Sequence, residues 1–288
     1  MARDRLFEVS GLNIRVHPVH NSARYVAFWE ALFKTQAHVT HSNTSIMIGE
    51  MRRADKTDPK SPIVGSFYKF LNIDVNEPWF DIVKRRKAGK DDVGQIVIPD
   101  YLKPNLVEVP YIFQPDKHKL YFVSRDSSGQ ASPQMVLRLL QTLARSRKVL
   151  DEFQTVEIDV ISDKAKVEEF FDWKVLKTLT IFIKRPNPVD VEDEKEILQR
   201  LKRRNAESER VFLKKARDAV SLTPDAEIKK LARVAADNGE VTVTGKNKTM
   251  QVDRASSKSF PMFERGSYSP NTQTLLAALV ALVLDKFR

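Results

Sequence analysis

Five histidines, no cysteine and one dense run of lysine and arginine are the residues of this 288-residue sequence with chemistry to offer. His17 and His20 in HPVH, with His38 and His41 in HVTH, make two pairs whose four imidazoles would suffice for a zinc ion. On an extended strand the i, i+3 spacing turns the two rings of a pair to opposite faces, and no carboxylate signature accompanies them. No metal site is therefore expected. His17 suits a different chemistry, because general acid–base catalysis at a 2'-hydroxyl needs no metal. On a strand it would share its face with Asn13 and Arg15. A metal-dependent nuclease centre would want clustered carboxylates and a lysine. Asp100, Glu157, Asp159, Asp163 and Lys164 are the residues available for one, and nothing in their spacing assembles them.

Other chemistries are excluded more sharply. None of the nine glycines forms G-x-G-x-x-G, which argues against a dinucleotide site. GEVTVTGKNK approaches a phosphate loop but has five residues between Gly239 and Gly245 where four are needed, and Asn247 stands where Ser or Thr should hold magnesium. There is no serine nucleophile elbow, and without cysteine there is no thiolate site and no disulfide. No cofactor is expected, and the absence of cysteine is compatible with a reducing cytosol.

The basic run is LKRRNAESERVFLKKAR, residues 201–217, with seven Lys and Arg against Glu207 and Glu209. Read as a helix at 100° per residue, it gathers Leu201, Phe212 and Ala216 into an inward stripe with Asn205. Arg203, Arg210, Lys214 and Arg217 fall together almost opposite, along roughly 21 Å of axis. Such a row could follow several phosphates of a nucleic acid. The competing expectation is a solvated face on which Glu207 holds Arg203 and Arg210 in local ion pairs. The formal charge of +10 favours a polyanionic partner, and from Arg200 to Lys258 fifteen Lys and Arg face eight Asp and Glu. Lys229, Lys230 and Arg233 on the next helix, and Lys246 and Lys248 at a hairpin tip, extend the candidate surface. No helix-turn-helix, zinc finger or RNA-binding aromatic signature is visible, so contacts to the phosphate backbone are expected over base readout. An acidic protein is the alternative partner for the same charges.

The elements that must position these residues read as α+β. Strand-like alternation in LFEVSGLNIRVHPV and TSIMIGEMRR brackets a helix at RYVAFWEALFKTQ. LVEVPYIF and HKLYFVSR flank Pro115 and Asp116 as a hairpin. Ser132 and Pro133 open a helix running to about Leu150. Then QTVEIDVIS, DKAKVEEFFDW and LKTLTIFIKR alternate strand, helix and strand, which implies right-handed βαβ units with some parallel pairing. The acidic run DVEDEKE reads as the start of a long charged helix rather than a metal site. Thr223, Pro224 and Asp225 start another, which Asn238 and Gly239 should stop. EVTVTGKNKTMQV is a hairpin, and Ser269 with Pro270 should cap an apolar terminal helix. A boundary near residue 125 divides the chain into an N-terminal α+β domain (1–125) and a C-terminal domain (126–288) with the basic surface. The charged N-terminus has no apolar leader, and the ten residues LLAALVALVL cover about half a bilayer core. A cytoplasmic protein with no membrane insertion is expected, with that helix buried in its own fold or in a subunit interface.

The order HKLYFVSR, capped helix, TVEIDVIS, short helix, LTIFIKRPNPVD, charged helix, hairpin EVTVTGKNK and terminal helix resembles phage-exclusion and anti-phage defence proteins. The nearest are the lambda Rex exclusion protein A and the DNA-binding subunit of the Kiwa system. The likeness covers roughly residues 107–288 and is one of element order. It implies a non-enzymatic homodimer that binds DNA largely independently of sequence, with a phage protein or a defence-system component as a further partner. It carries over no catalytic residue. A second likeness, to ferredoxin-like RNA-processing enzymes of CRISPR systems, would make the chain a metal-independent endoribonuclease using His17, although it lacks their glycine-rich C-terminal loop.

Overall fold

A computed structural model describes residues 4–18, 20–74, 76–186 and 192–287. The chain opens with the long strand β1 (Arg5–His17), helix α1 (Ser22–Lys34) and strands β2 (His38–His41), β3 (Thr44–Ile48), β4 (Arg52–Arg53) and β5 (Ile63–Leu71). A small hairpin, β6 (Phe80–Asp81) and β7 (Arg86–Lys87), and helix α2 (Lys90–Val93) precede β8 (Val107–Gln114), β9 (Lys119–Asp126) and β10 (Gly129–Gln130). Helices α3 (Pro133–Ala144) and α4 (Arg147–Phe153) lead to β11 (Thr155–Val160), and α5 (Lys164–Phe171) leads to β12 (Val175–Lys184). There follow α6 (Glu192–Arg203), β13 (Ser208–Lys214), α7 (Ala226–Asn238), β14 (Gly239–Lys246), β15 (Val252–Ser256), β16 (Glu264–Tyr268) and α8 (Leu275–Lys286).

Ten strands form one antiparallel sheet, in the order β11-β1-β9-β8-β5-β3-β2, with β16 beside β1, β10 on β9 and β4 on β5. One face packs on α1, α3 and α4 through Ile14, Val16, Phe28, Trp29, Phe113, Leu139, Leu140 and Phe153. Trp29 is fully buried, stacks on Phe113 at 4.7 Å and donates its indole N–H to the Tyr111 hydroxyl at 3.1 Å. That satisfies the single polar atom of a large apolar group. On the other face α8 covers Phe7, Val9, Tyr121 and Val123 with Leu279 and Val283. The apolar terminal helix is thus part of the core. Its cap is Thr274, whose hydroxyl accepts from Ala277 N–H, and not Ser269, which begins a turn five residues earlier. The helix expected from Ser132 to Leu150 is broken after Ala144 and resumes at Arg147.

The second sheet has four strands, β13-β12-β14-β15, also antiparallel throughout. Helices α5, α6 and α7 cover one face through Phe170, Ile197, Leu201, Leu231 and Ala235, against Leu179, Ile181, Ile183, Val241 and Val243. The fold is α+β, as the sequence suggests, with two corrections. Parallel βαβ pairing does not occur among the described residues, because β11 and β12, which α5 joins, belong to different sheets. The boundary near residue 125 also moves: β11, β16 and α8 return to the ten-stranded sheet, so the small lobe, from α5 to β15, is inserted within the large one.

Candidate nucleic-acid interface

The charged helix forms as α6 but does not continue through the basic run. The helical pattern ends at Arg203, where Asn205 takes a left-handed φ of 51°. Ala206 N–H reaches back to Leu201 O at 2.9 Å and Asn205 N–H to Lys202 O at 3.0 Å. This is the Schellman closure, with Asn where glycine is commonest. The next residues, SERVFLK, alternate as strand β13: Glu209, Val211 and Leu213 point inward while Ser208, Arg210, Phe212 and Lys214 are exposed. Arg203 and Arg217 stay exposed at its two flanks but no longer share a helical face with Arg210 and Lys214. The predicted row is therefore replaced by a strand with two of its four members.

What replaces it is the uncovered face of the small sheet. Lys214 lies opposite Thr178, Phe212 opposite Thr180, and Arg210 opposite Phe182. One strand further, Thr178 and Thr180 face Thr244 and Thr242, which face Arg254 and Ser256. Lys246 continues the same face of β14. The Arg210 guanidinium sits 5.3 Å from the centre of the Phe182 ring, and Phe212 is 59% exposed. A cation over an aromatic face keeps its charge available to an anion. Arg210, Lys214, Lys246 and Arg254 form no salt bridge with a described residue. Glu207 does not hold Arg203 or Arg210; the local pairs run instead from Glu209 to Arg200 and Arg204, at 3.0 and 3.3 Å.

The other predicted cations lie elsewhere. On α7, across the sheet, Lys230 pairs with Asp193 at 3.1 Å and with Glu196, Arg233 pairs with Glu168 at 2.6 Å, and Lys229 rests 5.7 Å from the Phe171 ring. Lys248 at the hairpin tip pairs with Asp172 at 3.2 Å. These side chains are engaged locally, on the opposite side from Arg210 and Lys214.

Between the lobes runs a seam of buried charge. Asn13, Arg15 and His17 do share a face of β1, and β11 sets Asp159 and Glu157 beside them. Arg15 is fully buried, donates to Glu157 at 3.0 Å and also pairs with Asp159. Lys184 reaches Asp159 at 3.0 Å and Glu157 at 3.7 Å. Asp237, at the end of α7, is held by Lys119 at 3.3 Å and Lys164 at 3.0 Å, and its backbone carbonyl accepts from Asn13 at 3.0 Å. The His17 imidazole 3.7 Å away, then the charges of Arg15 and Lys184, bring the Glu157 carboxyl down to about 2 against the opposing effect of burial. Burial works against ionising Asp159 and Asp237 too, yet their cations hold both below the usual carboxylate range. Glu194 has its carboxyl pushed up, by burial and then by Asp237. Of the carboxylates that a nuclease reading would gather, Glu157 and Asp159 are thus occupied by Arg and Lys, and Asp163 caps α5, accepting from Ala165 and Lys166 N–H. Asp100 lies far along the chain in a loop, and the described residues hold no group of acids and histidines fit for a metal.

His17 ends β1 within 3.7 Å of Glu157, and its ring meets that of His20 edge-on at 5.1 Å. His118 stacks on Tyr25 nearby at 4.0 Å; burial drives its pKa down to about 3 and keeps it neutral. His38 lies against Phe70 on β2, apart from this group, so the four-imidazole zinc arrangement does not assemble.

A model of one family matches residues 5–284, across both lobes. The chain belongs to DUF4747, a domain of unknown function. No curated protein matches it. Arg210, Lys214 and Lys246, grouped from the sequence, share this face, whereas their neighbours Phe182, Phe212 and Arg254 were not grouped with them. The signal was present in the strict alternation of SERVFLK after Asn205, overridden by a helical wheel drawn through a helix stop.

Proposed function

We propose that the chain binds nucleic acid on the uncovered face of the small sheet, with an unpaired strand as its preferred ligand. The observation that carries this is the exposed Phe212, with the half-buried Phe182 beside it, set among the cations Arg210, Lys214, Lys246 and Arg254, which meet no carboxylate among the described residues. Flat aromatic surfaces accept stacked bases and the cations accept phosphates, a combination that suits single strands and carries little sequence information. An acidic protein would meet the same charges but would draw no stacking from the two rings. DNA as the nucleic acid, the homodimer, the cytoplasmic setting and the role in phage defence come from the resemblance in element order and the composition. Anisotropy titration of labelled oligo-dT across a salt series tests the reading. Phe212→Ala should weaken binding by about 1–3 kcal/mol, the worth of one stacked base, without unfolding the chain. Unchanged affinity would sink the reading, and so would duplex bound as tightly as single strand.

A second reading is favoured by the place of His17 beside Glu157, whose carboxylate lies 3.7 Å from Nε2 and leaves Nδ1 to act as a general base. It predicts metal-independent RNA cleavage. Incubation with RNA under EDTA decides it: fragments that disappear in His17→Ala support the enzyme, and intact RNA removes it.

A further inference from the structure

At the end of β1, where the large lobe meets α6 of the small one, a cavity of about 340 Å³ is lined by His17, His20, Arg185, Lys202, Asn205 and Glu207 among others. Arg185 is the first residue past β12, and its backbone N–H is fixed to Glu207 O at 2.9 Å. By strand alternation its side chain leaves on the helix-covered side, opposite Lys184. Its Nε is buried without a hydrogen-bond partner among the described residues. A buried guanidinium donor left without an acceptor is costly. Lys202, exposed on the last turn of α6, also forms no salt bridge with a described residue. One carboxylate, the exposed Glu207, stands in the lining, against two permanent cations and two imidazoles.

We infer that this cavity binds a phosphate monoester carried on a nucleotide. Donors converge on it from β1, the end of β12, α6 and the turn after α6, a spread that a multi-oxygen anion can satisfy at once. The volume exceeds a bare phosphate and leaves room for an attached sugar. Two sources supply this group: the phosphorylated end of a strand, or a free nucleotide. The first rests on the function proposed above, because Phe182 beside the exposed Phe212 precedes Arg185 closely in the chain, so a strand leaving that face passes the cavity mouth.

The full chain is titrated with inorganic phosphate and with thymidine 5'-monophosphate by calorimetry, and with oligo-dT carrying a 5'-phosphate, a 3'-phosphate or hydroxyl ends by anisotropy. The mononucleotide should bind, and a terminal phosphate at one end should tighten the oligonucleotide by about tenfold. Arg185→Gln and Lys202→Gln should each abolish that advantage while leaving the hydroxyl-ended strand unaffected. Glu207→Gln, which removes the one negative charge, should increase it. Phe212→Ala should weaken every oligonucleotide and leave the mononucleotide untouched, which separates failure of the sheet face from failure of the cavity. Mononucleotide binding without any oligonucleotide binding assigns the cavity to a free nucleotide. No binding of phosphate or mononucleotide, together with equal affinity for all three strands, overturns the proposal, as does an end preference that survives both Arg185→Gln and Lys202→Gln.

Discussion

The seam between the lobes and the uncovered face of the small sheet are built from the same residue types and use them in opposite ways. In the seam each of Arg15, Lys119, Lys164 and Lys184 meets a carboxylate. On the face Arg210, Lys214, Lys246 and Arg254 meet none among the described residues, and Phe212 lies open beside them. Paired, desolvated charge fixes how two lobes fit, whereas unpaired charge in water is free to meet a ligand. A count of Lys and Arg along the sequence cannot tell the two apart. Partners can.

The largest effect that would test this contrast belongs to the seam. Arg15→Met strands Glu157 and Asp159 without their buried cation and should destabilise the fold by about 3–5 kcal/mol in denaturant titration. A loss below about 1 kcal/mol would mean that the seam is not holding the lobes. Next comes the face: Arg210→Glu with Lys214→Glu should lower oligo-dT affinity on the order of tenfold to a hundredfold and make the salt dependence shallower by about 0.7 per lost phosphate contact. The thermal midpoint should stay where it was, since both side chains are exposed. A matching fall in stability would erase the distinction between the regions.

Acid separates them in a third way. Glu157, Asp159 and Asp237 have folded values below their ordinary ones, so the stability they contribute is full above the ordinary carboxylate range and is lost as pH falls through the folded values. For Glu157 that window runs from 4.5 down to about 2. Glu194 runs the other way, its contribution present below 4.5 and lost as pH rises through its raised value. Three carboxyls against one should make the melting temperature drop between pH 5 and 2, and Arg15→Met should flatten that drop. The smallest effect is expected across the sheet: Lys230→Glu with Arg233→Glu should change oligonucleotide affinity by no more than about twofold, because those cations are already paired on the far side. A loss as large as that of the Arg210 and Lys214 pair would relocate the interface to α7.

Much of the fold was legible because local signals agreed with it. Ser132 caps α3, Asp225 caps α7, and Gly239 ends α7 just where the sequence turns to alternation. The face-sharing of Asn13, Arg15 and His17 follows from strand period alone and is found in β1. The basic surface was legible in composition but not in geometry. A helical wheel assumes that the helix continues, and Asn205 in a left-handed conformation ends it. The seam could not be read at all, because Asn13 meets Asp237 across more than two hundred residues. Nor could the return of β16 and α8 to the first sheet, since an apolar helix does not encode which sheet it covers.

The small lobe leaves and rejoins the large one at a single stitched point. Asp163 N–H donates to Phe260 O and Met262 N–H to Ile161 O, each at 2.8 Å, with Ser162 bridged to Pro261. Entrance and exit are thus neighbours, and the ten-stranded sheet sees everything between them as one long loop. A short turn from Ser162 to Pro261 would close that gap without altering the order of a single strand in the large sheet. The lobe that carries the uncovered face is in this sense a cassette, open to replacement or exchange while the scaffold that holds it keeps its strand order.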